Sequence, residues 1–106
     1  MEDFVNRSLL YDFYGELLTE HQREVYRAIV FEDYSVSEVA RDEGVSRQSI
    51  HDLMKRCDRI LEEYEEKLQL VGRFLRIREQ VSRIRELNHG RDRNIDSIAQ
   101  SILDEL

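Results

Sequence analysis

The sequence predicts an all-α protein, on three observations. Its apolar residues recur at intervals of three and four, the helical period, and no stretch alternates as a half-buried strand would. It contains no proline and only four glycines, Gly15, Gly44, Gly72 and Gly90, so few residues interrupt a helix. Hydroxyl side chains stand ahead of three of the periodic runs, where they can cap the first turn.

The elements follow in order. A first helix is expected over about 3–17, with Phe4, Leu9 or Leu10, Phe13 and Leu17 on one face. Thr19 reads as an N-cap, and Gln22 three residues later completes a capping box. The second helix then runs over roughly 20–31 with Val25, Ile29 and Val30 inward, until Glu32-Asp33-Tyr34 breaks it. Ser35 and Glu38 form a second capping box, opening a short helix from 36 to about 43. Gly44 stands where a left-handed residue closes that helix, and Ser46 caps the next. From Arg47 the helical pattern meets no stop before Gly72, which either hinges it or allows close packing. Helix is expected to about Leu87, with Asn88 to Gly90 as its end and Arg91 to Asn94 as a connection. Asp96 or Asn94 then caps a last helix whose Ile95, Ile98, Ile102 and Leu103 share a face. This predicts a helix-turn-helix domain over 1–70 and a helical extension over 71–106 serving dimerisation or partner contact.

Composition narrows the function. The 106 residues carry 16 basic and 23 acidic groups, a net charge of -7, and such a field repels phosphates on average. Nucleic-acid contact therefore needs a local basic surface. Residues 1–45 hold 4 basic and 11 acidic groups, 46–60 hold 4 and 2, and 61–70 hold 1 and 4. Residues 71–93 hold 7 and 3, and 94–106 hold none and 3. The longest apolar run, Ala28 to Phe31, is far too short for a membrane span or a signal-peptide core. One cysteine, Cys57, allows no internal disulfide and fits a cytoplasmic protein; it reads as a small buried hydrophobe. His21, His51 and His89 are scattered, and no HExxH, CxxC or phosphate-cradling glycine loop occurs. We therefore expect no enzyme, no metal, no cofactor and no small-molecule substrate.

The stretch from Val36 to Leu53 carries the strongest signal. Two helices crossing at a tight turn need a small residue at the crossing, which Ala40 supplies, and a residue tolerant of positive φ, which is Gly44. Val45 is expected to tuck beneath the turn, while Ile50 and Leu53 face the first helix and Val36 and Val39 fill the remaining inward positions. Glu43 departs from the apolar type common before this glycine and is expected to lean outward. The second helix then offers Ser46, Arg47, Gln48, Ser49, His51, Asp52, Lys55, Arg56 and Arg59 to a partner, in such motifs usually the major groove. Gln48 suits adenine, Arg47 suits guanine or phosphate, and Ser46 suits a phosphate at the helix N-terminus. Asp52 is repelled by a duplex unless it accepts from a cytosine amine. The plainer reading of these nine residues is a solvated helix face.

The segments Leu18-Thr19-Glu20-His21-Gln22-Arg23, Ser35 to Ala40 and Gly44 to Ile50 resemble region 4 of bacterial sigma factors. A closer likeness, over about residues 8–70, is to the YlxM-like family of small helix-turn-helix proteins. It is carried by Tyr11-Asp12-Phe13-Tyr14, Leu17-Leu18-Thr19, Asp33-Tyr34-Ser35, Gly44-Val45-Ser46-Arg47-Gln48, Lys55-Arg56 and Leu61 to Leu68. Member genes of that family typically neighbour those of the signal recognition particle GTPase and its receptor. The resemblance implies a sigma-region-4-like fold, DNA binding, and a regulatory or accessory role in protein targeting, with signal recognition particle components as possible partners.

Two further features bear on partners. Arg73, Arg76, Arg78, Arg83 and Arg85 form a second basic patch suited to RNA or phosphate, or else simply pair with Glu79 and Glu86 along a helix. Excess apolar faces on residues 57–84 predict a homodimer through helix packing, which would also pair two recognition helices. The competing expectation is a protein- or RNA-interaction module that binds the targeting GTPase or its RNA and keeps the helix-turn-helix as scaffold.

Overall fold

A computed structural model describes residues 2–106, with side chains from Phe4 onward. Among the described residues there are six helices and no strand: α1 (Glu2–Tyr14), α2 (Glu20–Val30), α3 (Val36–Glu43), α4 (Arg47–Leu68), α5 (Leu70–Asn88) and α6 (Arg93–Glu105). A single 3-10 turn, Gly15–Leu17, follows α1. The chain divides into two compact units, one ending at Gln69 and the other spanning Leu70–Leu106.

Local hydrogen bonding explains where the helices of the first unit begin. The Thr19 and Gln22 pair closes reciprocally at the start of α2, and the Ser35 and Glu38 pair does so at the start of α3. The bond from the Ser35 N–H also holds the Glu38 carboxyl below its ordinary value. α1 stops earlier than the apolar spacing predicts, because the chain tightens at Gly15. A Cβ there would lie 2.9 Å from the Tyr11 ring, so only glycine fits. The inward face of α1 also differs from expectation. Leu10 and Tyr14 are buried, whereas Phe4 and Leu17 are more than half exposed.

α4 is the centre of this unit. Its Ile50, Met54, Cys57 and Leu61, spaced by four, three and four, are all buried, and the helix packs against α1, α2 and α3. Leu10 and Tyr14, Val25 and Tyr26, and Val39 and Ala40 are the buried residues of those three helices. Leu53 is only partly covered, so Met54 takes the inward place expected of it. Burying Cys57 and Leu61 here uses up part of the apolar surplus that predicted a dimer. Aromatic rings form a layer over one side: Tyr11 stacks on Tyr26 at 5.7 Å, and Phe31 tilts against Tyr11 at 5.3 Å.

Two carboxylates on α4 tie the helices together. Asp58 accepts from Arg7 of α1 at 2.6 Å and from the Tyr26 hydroxyl of α2 at 2.9 Å. Glu65 accepts from the Tyr14 hydroxyl. The Tyr26 phenol is raised well above its ordinary value, first by burial and then by the negative charge of Asp58. Burial, with Asp58 second, pushes the Cys57 thiol up to about 11.

α4 ends three residues before the expected break. Gln69 takes a left-handed conformation, φ 53°, and its N–H donates to the Glu65 carbonyl, while Gly72 lies inside α5. The second unit is an α5–α6 hairpin turned at His89 and Gly90, both with positive φ. Asn88 donates to the Asp92 carbonyl and accepts from its N–H, which fixes Asp92, rather than Asn94 or Asp96, as the cap of α6. Arg85 donates to Gln100 at 2.7 Å across the hairpin. No described helix is long and apolar enough to cross a membrane.

Ala40 is 3% exposed at the α3–α4 packing, so Ala40→Glu forces a charge into it. The first unit should lose about 3 kcal/mol or more, read as a melting point lowered by roughly 12 °C or more. The Cys57 shift gives a pH dependence. The unfolded thiol ionises at its ordinary 9.0 while the folded one holds its proton to about 11. Stability is therefore whole below pH 9 and falls as pH rises toward 11. In Cys57→Ala, chemical denaturation across that window should show a shallower alkaline decline.

Candidate nucleic-acid interface

The turn between α3 and α4 is built from backbone. Gly44 sits at φ 69°; its N–H donates to the Arg41 carbonyl, and the Val45 N–H reaches back to the Ala40 carbonyl at 3.0 Å. This closure satisfies the carbonyls of Ala40 and Arg41 in the last turn of α3. It also leaves the Val45 side chain 44% exposed, a correction to the expectation that it tucks under the turn. The backbone bond of Val45 holds the turn, so its side chain is not needed beneath it. Ala40 and Ile50 are buried as the motif requires, and Val36 is partly covered. Glu43, expected to lean outward, bonds His21 Nε2 at 2.8 Å and so fastens the start of α2 to the end of α3.

Ser46 caps α4: its Oγ accepts from the Ser49 N–H at 3.1 Å and lies 2.9 Å from the Ser49 Oγ. Ser46, Arg47, Gln48, Ser49, His51, Asp52, Lys55, Arg56 and Arg59 are all exposed. Helical spacing orders them. Gln48, Asp52, Lys55 and Arg59 each precede a buried residue of the inward row by two, so they lie on the opposite side of the helix. Arg56 flanks this row, and Arg47 and Ser49 stand at the first turn. His51 points off to one side. Further along the same outward face come Glu62, Glu63 and Glu66, also exposed, so the basic surface is confined to the leading half of α4.

One contact in this row was not read from the sequence. Gln48 Nε2 donates to Asp52 Oδ1 at 2.9 Å, which gives Asp52 a partner on its own helix. The four-residue spacing was the available signal. The five arginines of α5 are not gathered on one surface. The Arg78 guanidinium lies over the Phe74 ring at 5.1 Å and Arg85 is bonded to Gln100, on one side of the helix. Arg73, Arg76 and Arg83 are exposed on other sides. Among the described residues no group of three potential metal ligands occurs.

Residues 1–101 match the family described as "Putative helix-turn-helix protein, YlxM / p13 like". The chain belongs to this family. The YlxM-like protein is 47% identical over 76 residues to a UPF0122 protein of Symbiobacterium thermophilum, covering 72% of this chain and 71% of that one. It is 39% identical over 106 residues to one of Thermoanaerobacter sp. X514, covering 99% and 91%. With one of Geobacillus kaustophilus the identity is 36% over 109 residues, covering 100% and 98%. The likeness therefore extends over the second unit as well, past the segment that carries the resemblance in the sequence.

Ser46→Ala in the YlxM-like protein removes the acceptor for the Ser49 N–H. The expected loss is about 1 kcal/mol, measured by denaturant titration, with helical content unchanged at low denaturant.

Proposed function

We propose that this YlxM-like protein is a non-enzymatic DNA-binding protein that lays the N-terminal half of α4 in the major groove. The observation that carries this reading is the outward row on α4. Four cations, Arg47, Lys55, Arg56 and Arg59, stand with the polar Gln48 and Ser49 on the exposed part of the leading half of α4. Arg47 and the N–H groups of the first turn take a phosphate, while Gln48 reads a base edge. The acidic Glu62, Glu63 and Glu66 limit the contact to a short footprint, since the duplex is repelled beyond Arg59. With this goes a regulatory or accessory role in the signal recognition particle pathway in the cytoplasm, on the strength of the family resemblance alone.

Docking of α4 on a protein partner is the competing mode, and salt separates the two. Binding of wild-type protein to duplex DNA should weaken roughly tenfold or more between about 50 and 200 mM salt. Arg47→Ala with Lys55→Ala should keep the melting point, weaken binding several-fold or more, and flatten the salt slope by about two units. Affinity that is unchanged in the double variant, or insensitive to salt, would move the assignment to a protein ligand. A clear preference for structured RNA over duplex DNA would overturn the DNA reading.

A further inference from the structure

The second unit leaves many of its large apolar side chains more than a third exposed. The buried side chains of α5 and α6 are small, Val71, Val81 and Ala99. Meanwhile Leu87 is 69% and Ile98 62% exposed, and Ile77, Ile84, Ile95 and Ile102 are each more than a third exposed. These six are not scattered. On α5, Ile77, Ile84 and Leu87 recur at seven and three, displaced to one flank of Val81; on α6, Ile95, Ile98 and Ile102 recur at three and four on one flank of Ala99. Because the helices run antiparallel, both flanks open on the same side of the hairpin. A shallow hollow lined by Ile84, Leu87, Asn88, Arg91 and Ile95 joins them near the turn. The result is a mainly apolar face across two helices, interrupted on α5 by Gln80.

A unit of fewer than about 40 residues seldom stands alone without a metal, a disulfide or a partner. This one has no cysteine, and α5–α6 has no metal-ligand cluster among its described residues. Its charges indicate what covers it. α5 carries Arg73, Arg76, Arg78, Arg83 and Arg85 against Glu79 and Glu86, whereas α6 carries Asp96, Asp104 and Glu105 against Arg93. A hairpin with one basic and one acidic helix beside an apolar face is complementary to itself.

We propose that this face binds the same face of a second copy, with a two-fold axis parallel to the helices, closing an antiparallel four-helix bundle. In that arrangement each α5 lies between its own α6 and that of the second copy. Basic helices then neighbour acidic ones, and all adjacent helix dipoles oppose. The alternative two-fold, with α5 against α5, puts the arginine-rich helices together and is disfavoured. The bundle places the apolar contact on residues 77–102, not on the 57–84 stretch that the sequence indicated.

The full chain without nucleic acid is the right sample, so the outcome is independent of the DNA reading. Light scattering at micromolar concentration should give twice the chain mass of 12.8 kDa. The melting of the dimer should rise with protein concentration. Leu87→Ser with Ile98→Ser should halve the mass and remove the concentration dependence. The milder Ile84→Ala with Ile98→Ala should raise the dissociation constant tenfold or more while circular dichroism retains the helical signal. A monomeric wild type up to 100-fold higher concentration, or a dimer indifferent to both pairs of substitutions, overturns the proposal. The first result would mean that the face is covered by another partner or by another part of the same chain.

Discussion

Everything at the candidate interface depends on how closely α3 can approach α4. Ala40, a single methyl group, and Val39 are the buried residues of α3, and Gly44 allows the chain to reverse at once behind them. A larger residue at 40 would lift α4 from α3, and the inward row of Ile50 to Leu61 would lose its seat against the other helices. The outward row would then have no fixed direction. The chemistry presented to a partner thus follows from a packing constraint on the opposite side of the helix.

Hydrogen-bonded carboxylates make the same point about α4. Asp58 and Glu65 bind side chains from α1 and α2, so the helix is held along its length by polar contacts as well as by its apolar stripe. Both carboxylates lie beside the inward row, Asp58 one residue after Cys57 and Glu65 four after Leu61, so these contacts use none of the exposed cations of α4. An overall net charge of -7 is compatible with a basic edge because the acidic residues are concentrated elsewhere, over residues 1–45 and 61–70.

What could be read from the sequence was what is decided locally. The caps at Thr19, Ser35 and Ser46 and the left-handed Gly44 are set by residues within three or four positions of one another, and each is a recognisable residue type. The failures involve choices settled at a distance or by residues without a signature. Gln69 ends α4 in a conformation that its side chain does not announce. Asp92 was one of several acceptors near α6, and Asn88 in the preceding helix selected it. Tyr14 displaced the expected face of α1 because its hydroxyl finds Glu65, fifty-one positions away. At the candidate site the exposed residues followed from the helical period, but the burial of Met54 over Leu53, the exposure of Val45 and the splitting of the α5 arginines required coordinates.

The bond between Gln48 and Asp52 has a consequence for discrimination. A free glutamine amide can turn over, exchanging its oxygen and nitrogen, and so offers either of two mirror arrangements to a base pair. With one amide hydrogen committed to Asp52, the group keeps a single orientation, and its remaining oxygen and hydrogen form an ordered couple. Under the proposed DNA-binding reading, loss of the carboxylate would therefore blur which letter is tolerated at one place in a binding site while leaving the grip on the surrounding backbone intact.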